Sequence, residues 1–226
     1  MNVLAIDGAL GAFSTAIASG SRIVAARVES GNVALERGLA LVEGVLADAQ
    51  LSPQEIDRLA IGIGPGSFTG LRIAIAYAKS LAAVWQRPLV PIDSFDALEF
   101  GGQYSRVLAV VVGRTGVISA RYRGEADLRR ASGRVGDVLD ALRLRRSAPS
   151  LRMTGGEDEP LPVVGAPKDV LDALAERGII VRSFDPAVTP AAAAAALAAH
   201  GRTPPPSIHE VEADYGELPA AKPPQF

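Results

Sequence analysis

Two short segments hold residues whose types and spacing could do chemistry. The first is Asp7-Gly8, which closes the apolar run Val3-Leu4-Ala5-Ile6. In a phosphotransferase built on a hairpin lobe, a carboxylate at this place holds metal-bound water and the turn beyond it wraps phosphate. An Asp that opens a tight turn by bonding its own backbone gives the same pattern without any chemistry. The second segment is Gly64-Pro65-Gly66-Ser67-Phe68-Thr69-Gly70, set between an apolar run and a long apolar helix. Its three glycines let the backbone turn sharply and approach another group closely. Ser67 or Thr69 can cap the helix, whose first amides could receive an anion. The Lys-Ser/Thr pair of a P-loop is missing. By spacing alone, a strand-to-helix turn is the simpler account.

Composition removes several other chemistries. Among 226 residues there is no cysteine, so disulfides, thiolate nucleophiles and Cys-ligated zinc are excluded. The two histidines, His200 and His209, do not form a His-X-X-X-His metal pair, which removes a zincin-type protease. No metal site and no cofactor are expected. The 23 basic residues balance 25 acidic ones, so the whole molecule carries no electrostatic footprint for nucleic acid. Arg121, Arg123, Arg129, Arg130 and Arg134 give a local basic excess, read here as a solvated face. The apolar stretches are too short for a membrane span and the first residues do not read as a signal peptide. A soluble, cytoplasmic protein is expected.

The elements that must position the two segments follow from periodicity. Residues 3–6, 13–19 and 23–29 read as three strands, with Gly20-Ser21-Arg22 as a hairpin break. Leu35, Leu39, Val42 and Leu46 recur at helical spacing and predict a helix over residues 35–49. Residues 59–63 read as a buried strand, and residues 71–86 as a helix with one polar stripe, Arg72, Lys79 and Gln86. A helix so apolar must be buried on most sides, in the core or against another chain. Residues 89–92 follow as a strand, and Ser94 is expected to cap a short helix. A second lobe begins near Gly101-Gly102: strands at 107–112 and 117–122 across Gly113–Gly116, a helix at 135–144, strands at 161–164 and 179–181 around a helix at 168–176, and an alanine-rich helix from Thr189-Pro190 to His200. The tail from Thr203, with Pro204-Pro205-Pro206 and Pro223-Pro224, reads as extended or disordered. The order β-β-β-α-β-α-β predicts an α/β fold with mixed sheets: residues 1–100 as one lobe, 101–202 as a second, abbreviated lobe, and 203–226 as a tail.

As an exact string the second segment is specific. Ile61 to Ile73, with Ala78-Lys79-Ser80-Leu81-Ala82 after it, resembles the bacterial tRNA threonylcarbamoyladenosine dimerisation subunit, the TsaB (YeaZ) family. Asp7, Gly64, Pro65, Gly66, Ser67, Phe68, Thr69, Gly70 and Arg72 carry the motif, and the resemblance is strong to about residue 125. It implies an actin-like/Hsp70-like ATPase (ribonuclease H-like) fold that has lost its own ATP site. It implies a non-catalytic scaffold for the catalytic paralogue TsaD, joined by the ATPase TsaE; the complex modifies tRNA, and the scaffold meets tRNA only indirectly, through that complex. Two helices of the first lobe would form the homodimer or heterodimer interface, with Leu35, Leu39, Val42, Leu46, Ala74, Tyr77, Ala78 and Leu81 on the faces concerned. A charge at Ala74 or Ala78 is then expected to cost association rather than folding. The chain departs from the family at Gly8-Ala9, Ala34 and Gly113, and its tail keeps Tyr215 without the usual run after it. The competing reading is an actin-fold small-molecule kinase or ATPase acting alone. It would need an adenosine site in the second lobe, where Gly155-Gly156 is the available glycine pair and Glu157-Asp158-Glu159 beside it would repel phosphate.

Overall fold

The computed structural model describes residues 1–30, 37–113, 116–144, 159–199 and 201–216. Leu35, Ala34, Arg114 and the Gly155-Gly156 loop lie outside the described residues. Strands β1 (Asn2–Asp7), β2 (Phe13–Ser19) and β3 (Arg22–Glu29) form an antiparallel meander, and β4 (Arg58–Gly64) and β5 (Leu89–Asp93) add to it in parallel. The sheet order is β3-β2-β1-β4-β5. Helix α1 (Gly38–Ala49) joins β3 to β4, and α2 (Phe68–Trp85) joins β4 to β5, as parallel crossovers require. The second sheet repeats this plan: β6 (Val107–Val112), β7 (Ile118–Arg123) and β8 (Leu128–Gly133) are antiparallel, with β9 (Leu161–Val164) and β10 (Val181–Phe184) parallel beyond them, in the order β10-β9-β6-β7-β8. Its crossover helices α4 (Val135–Ala141) and α5 (Lys168–Glu176) are short. The abbreviation of the second lobe therefore lies in its helices, since the sheet is complete.

Each sheet is covered on its outer face by its own crossover helices and on its inner face by a helix that follows the other sheet. Helix α3 (Ser94–Glu99) ends the first lobe's run of chain. Its Phe95 and Leu98 nevertheless pack on Val107, Ala109, Val111 and Val164 of the second sheet. Helix α6 (Pro190–Ala199) ends the second lobe's run, yet its alanines pack on Val3, Ala5, Ala16, Ala18, Ala60, Val90 and Ile92 of the first sheet. A side chain of one methyl group lets helix and sheet approach closely, which explains an alanine run where no amphipathic stripe is needed. Ser14 of β2 accepts the amide of Ala191 at 3.3 Å, and Arg58 of β4 donates to the carbonyls of Ala198 and Arg202, so α6 is capped by the sheet it covers.

Several elements depart from the expectations above, among them the strand expected at 179–181, which runs over Val181–Phe184. Asp93, not Ser94, caps α3, its carboxylate accepting the Phe95 amide at 2.8 Å. Strand β8 was not expected, because Leu-Arg-Arg-Ala-Ser-Gly alternates weakly at a sheet edge. The start of the tail is ordered and docked: a short 3-10 turn at Ile208–Glu210 lies on α2, and Val211 is buried in the first lobe's outer core with Val45, Ile61, Ala74 and Ala78.

Candidate functional site

The end of β1, the glycine-rich loop after β4 and the sheet edge at β7–β8 meet between the lobes. Asp7 ends β1 with no exposed surface. One carboxylate oxygen accepts the Ala9 amide at 2.9 Å, while the other is buried without a hydrogen-bond partner. Burial pushes its pKa up to about 6, against a smaller downward pull from the amides of Ala9 and Leu10. The neighbouring strand makes room for this carboxylate: a Cβ on Gly62 would lie 1.8 Å from its unpartnered oxygen. The turn itself is as tight. A Cβ on Gly70 would fall 1.9 Å from the Gly8 carbonyl oxygen, and one on Gly8 would fall 2.7 Å from the Gly70 carbonyl oxygen. Ser67 donates its amide to the Ala9 carbonyl at 2.8 Å, and its hydroxyl accepts the Gly70 amide at 3.2 Å, capping α2 as expected. A Cβ on Gly66 would likewise fall 2.2 Å from the Ala9 carbonyl oxygen, so Gly66 and Gly70 let the loop pack on the turn.

From the other side the loop is met by the chain's own tail. Asp214 donates its amide to the Ile63 carbonyl at 2.7 Å, and a Cβ on Gly64 would lie 2.0 Å from the Asp214 carbonyl oxygen. Tyr215 packs on Phe68 at 4.9 Å between ring centroids, and Arg72 lies over the same Phe68 ring at 4.9 Å. Motif residues Asp7, Gly64 to Gly70 and Arg72 are therefore brought together, around the turn and the tail. Among the described residues no group of three His, Cys, Asp or Glu side chains gathers where it could hold a metal ion, and no helix is long and apolar enough to cross a membrane.

The arginines expected on a solvated face are largely committed. Arg121 is 5% exposed and bonds Asp96 at 2.6 Å and Glu99 at 2.8 Å. Arg123 bonds Glu99 at 2.7 Å, Arg130 bonds Asp93 at 2.9 Å, and Arg202 reaches Asp96. Arg129 pairs with Asp127 and lies over the Tyr122 ring. Burial would raise the Asp96 carboxyl, but its bonds to Arg121 and Arg202 hold it below its ordinary value. Burial does raise Asp93, against the weaker pull of Arg130. This network ties α3 to β7 and β8. Within it Arg121 is buried, whereas Arg123, Arg130 and Arg202 stay partly exposed.

The helix faces assigned to a partner also need correction. Val42, Leu46, Ala74 and Ala78 are buried in the first lobe's own core, where Tyr77 and Leu81 are partly buried too. Tyr77 packs edge-on against Phe13 at 6.0 Å, with Gly38 of α1 beside it. Leu39 is 48% exposed and keeps its place on the outside. On α2 the outward positions are Arg72, Ala76, Ser80, Ala83 and Val84, the last 77% exposed, with Ile73 and Tyr77 at the margin. Sequence reasoning missed Ala76 and Val84. The signal was available only once the neighbours of α2 were known, because both of its sides are apolar.

The architecture is that of a two-lobed actin-like (ribonuclease H-like) protein. A family model described as "TsaD: tRNA N6-adenosine threonylcarbamoyltransferase" matches residues 34–148, just over half of the chain, and the chain belongs to that family. TsaB of Escherichia coli, a tRNA threonylcarbamoyladenosine biosynthesis protein, is 33% identical over 122 residues, which cover 52% of this chain and 53% of the relative. The chain thus spans about half the length of that curated relative. TsaB of Bacillus subtilis is 32% identical over 68 residues, 30% of each chain. YeaZ from Pseudomonas aeruginosa superposes with a TM-score of 0.69 at 22% identity, covering 95% of this chain and all of that one. The resemblance to TsaB (YeaZ) read from the motif string is borne out by these relatives.

Proposed function

We propose that the chain is a non-catalytic subunit in the synthesis of N6-threonylcarbamoyladenosine in tRNA, and that it works by pairing with a catalytic paralogue of the TsaD type. The observation that carries this reading is helix α2. One side of it supplies the first lobe's core, and the other exposes Ala76, Ala83 and Val84 together with Arg72 and Ser80, while Leu39 is exposed on α1. Apolar side chains left exposed along a helix in this way favour a protein partner. The absence of bulk beyond Ala76 and Ala83 suits a helix packed at close range. The tight packing of loop on turn at Asp7 and Gly70 supports the loss of a nucleotide site in this subunit. TsaE as a further member, self-association when alone, and a cytoplasmic place of work follow from the same family reading. tRNA is engaged through the assembly.

Calorimetric titration of the purified chain tests this, with ATP and magnesium in one experiment and with the same organism's TsaD-type paralogue in the other. Binding of the paralogue without heat from ATP is the expected result. Binding of ATP by the lone chain would overturn it in favour of an actin-fold kinase or ATPase acting through Asp7 and the glycine-rich loop.

A further inference from the structure

The segment after α6 does more than leave the fold. From Ser207, whose hydroxyl accepts the His209 amide, the chain runs along α2, where Lys79 donates to the His209 carbonyl. Val211 is then buried in the first lobe's outer core, an anchor on that lobe alone. Beyond it the segment crosses toward the second lobe. Asp214 bonds the end of β4, Tyr215 covers Phe68, and the Asp214 carboxylate accepts the Gly216 amide at 2.8 Å to close a turn. Gly216, at φ +70°, sits where a Cβ would meet three groups at once: Ser119 Oγ of β7 at 2.4 Å, Pro65 of the glycine loop at 3.0 Å, and Ser132 Oγ of β8 at 3.3 Å. Those two serine hydroxyls bond each other at 2.8 Å, so the floor beneath Gly216 is itself fixed.

We propose that residues 207–216 form a latch that locks the two lobes in one relative orientation, anchored on the first lobe by Val211 and closed on the second by Gly216. The proposal goes beyond the partner reading and does not depend on it. The anchor and the closing end differ in kind. Val211 is held by burial, whereas Asp214 to Gly216 are held by one backbone hydrogen bond, one half-exposed aromatic pair and the fit of a glycine. The closing end can therefore open while the anchor stays. Opening it would uncover Pro65 and the Ser119–Ser132 pair and leave α3 and α6, each packed against the opposite sheet, as hinges between the lobes.

The absence of cysteine makes the test direct. Gln54 and Ala175 are exposed, one in the first lobe and one on α5 in the second. The full chain carrying Gln54→Cys and Ala175→Cys, each spin-labelled, reports the distance between lobes by pulsed electron resonance. Gly216→Val forces the closing end away from Ser119, and Asp214→Pro independently removes the amide donated to Ile63. Amide hydrogen exchange over residues 213–216 reports whether the end has opened. The expected result is loss of protection in both variants with the inter-lobe distance shifted and its distribution broadened. Loss of protection with an unchanged distance distribution would overturn the proposal. So would retained protection in both variants, since the close fit at Gly216 would then be absent. Unfolding of both variants would overturn it too, by making the segment core rather than latch.

Discussion

At the scale of single residues, Asp7 carries the most consequence. A carboxyl whose folded pKa is raised from 3.8 to about 6 binds its proton more tightly in the folded state. Stability therefore falls as pH rises through the window between those values and is lowest above it. The shift corresponds to about 3 kcal/mol as an upper bound. Asp7→Asn keeps the acceptor for Ala9 and removes the buried charge, at the cost of an unpaired amide of roughly 1–3 kcal/mol. We expect chemical denaturation at a series of pH values to show a steeper fall in stability between pH 4 and 6 for the native chain than for the Asn variant, which keeps the contributions of Asp93 and Asp96. Gly62 is coupled to the same atom. Gly62→Ala is expected to lower stability by more than about 2 kcal/mol. Combining it with Asp7→Gly should recover part of that loss, a coupling that a double-mutant cycle measures. The sequence showed Asp7 and the glycines as a set, and it left open whether they served a ligand or each other. What the sequence could not show is that a Cβ at Gly62 would lie 1.8 Å from the Asp7 carboxylate, a close approach between two strands far apart in the chain.

At the scale of elements, α2 divides its residues between two tasks. Its composition was legible as too apolar for a surface helix, and its start at the Ser67 cap was legible from the turn chemistry. Which side faced the sheet was not, because Ala74 and Ala78 differ from Ala76 and Ala83 only in phase. The phase is set by β4, by α1 and by the docked tail, none of which marks the sequence of α2 itself. The distinction has measurable consequences. Ala78→Asp buries an unpaired charge and is expected to cost more than about 3 kcal/mol of stability, or folding altogether, in a denaturant titration. Val84→Asp and Ala76→Glu are expected to leave the denaturation midpoint within about 0.5 kcal/mol of the native chain. The docking of the tail was hidden for a related reason. A proline run reads as extended chain, and only the pairing of Asp214 with Ile63 and the burial of Val211 give that chain a place.

At the scale of the whole molecule, the two sheets repeat one strand order and exchange one helix each. Cap and start signals at Ser94 and Thr189-Pro190 located α3 and α6, but chain order put each in the lobe preceding it, since the exchange is a property of packing between lobes. The same exchange explains the buried ion network. Arg121 on the second sheet meets Asp96 and Glu99 on α3, the helix that arrives from the first lobe. Arg121→Met leaves Glu99, 8% exposed, with Arg123 alone, and is expected to cost about 3 kcal/mol in a thermal or denaturant melt. A surface arginine would cost almost nothing. The proposed function rests on pairing through the outer face of α1 and α2. The most direct test is sedimentation velocity of the native chain and of Val84→Asp, each alone and mixed with the TsaD-type paralogue of the same organism. The account predicts a complex with the native chain and at least about a tenfold loss of affinity for the variant, with folding unchanged. A variant that folds and still forms the complex with undiminished affinity would contradict it.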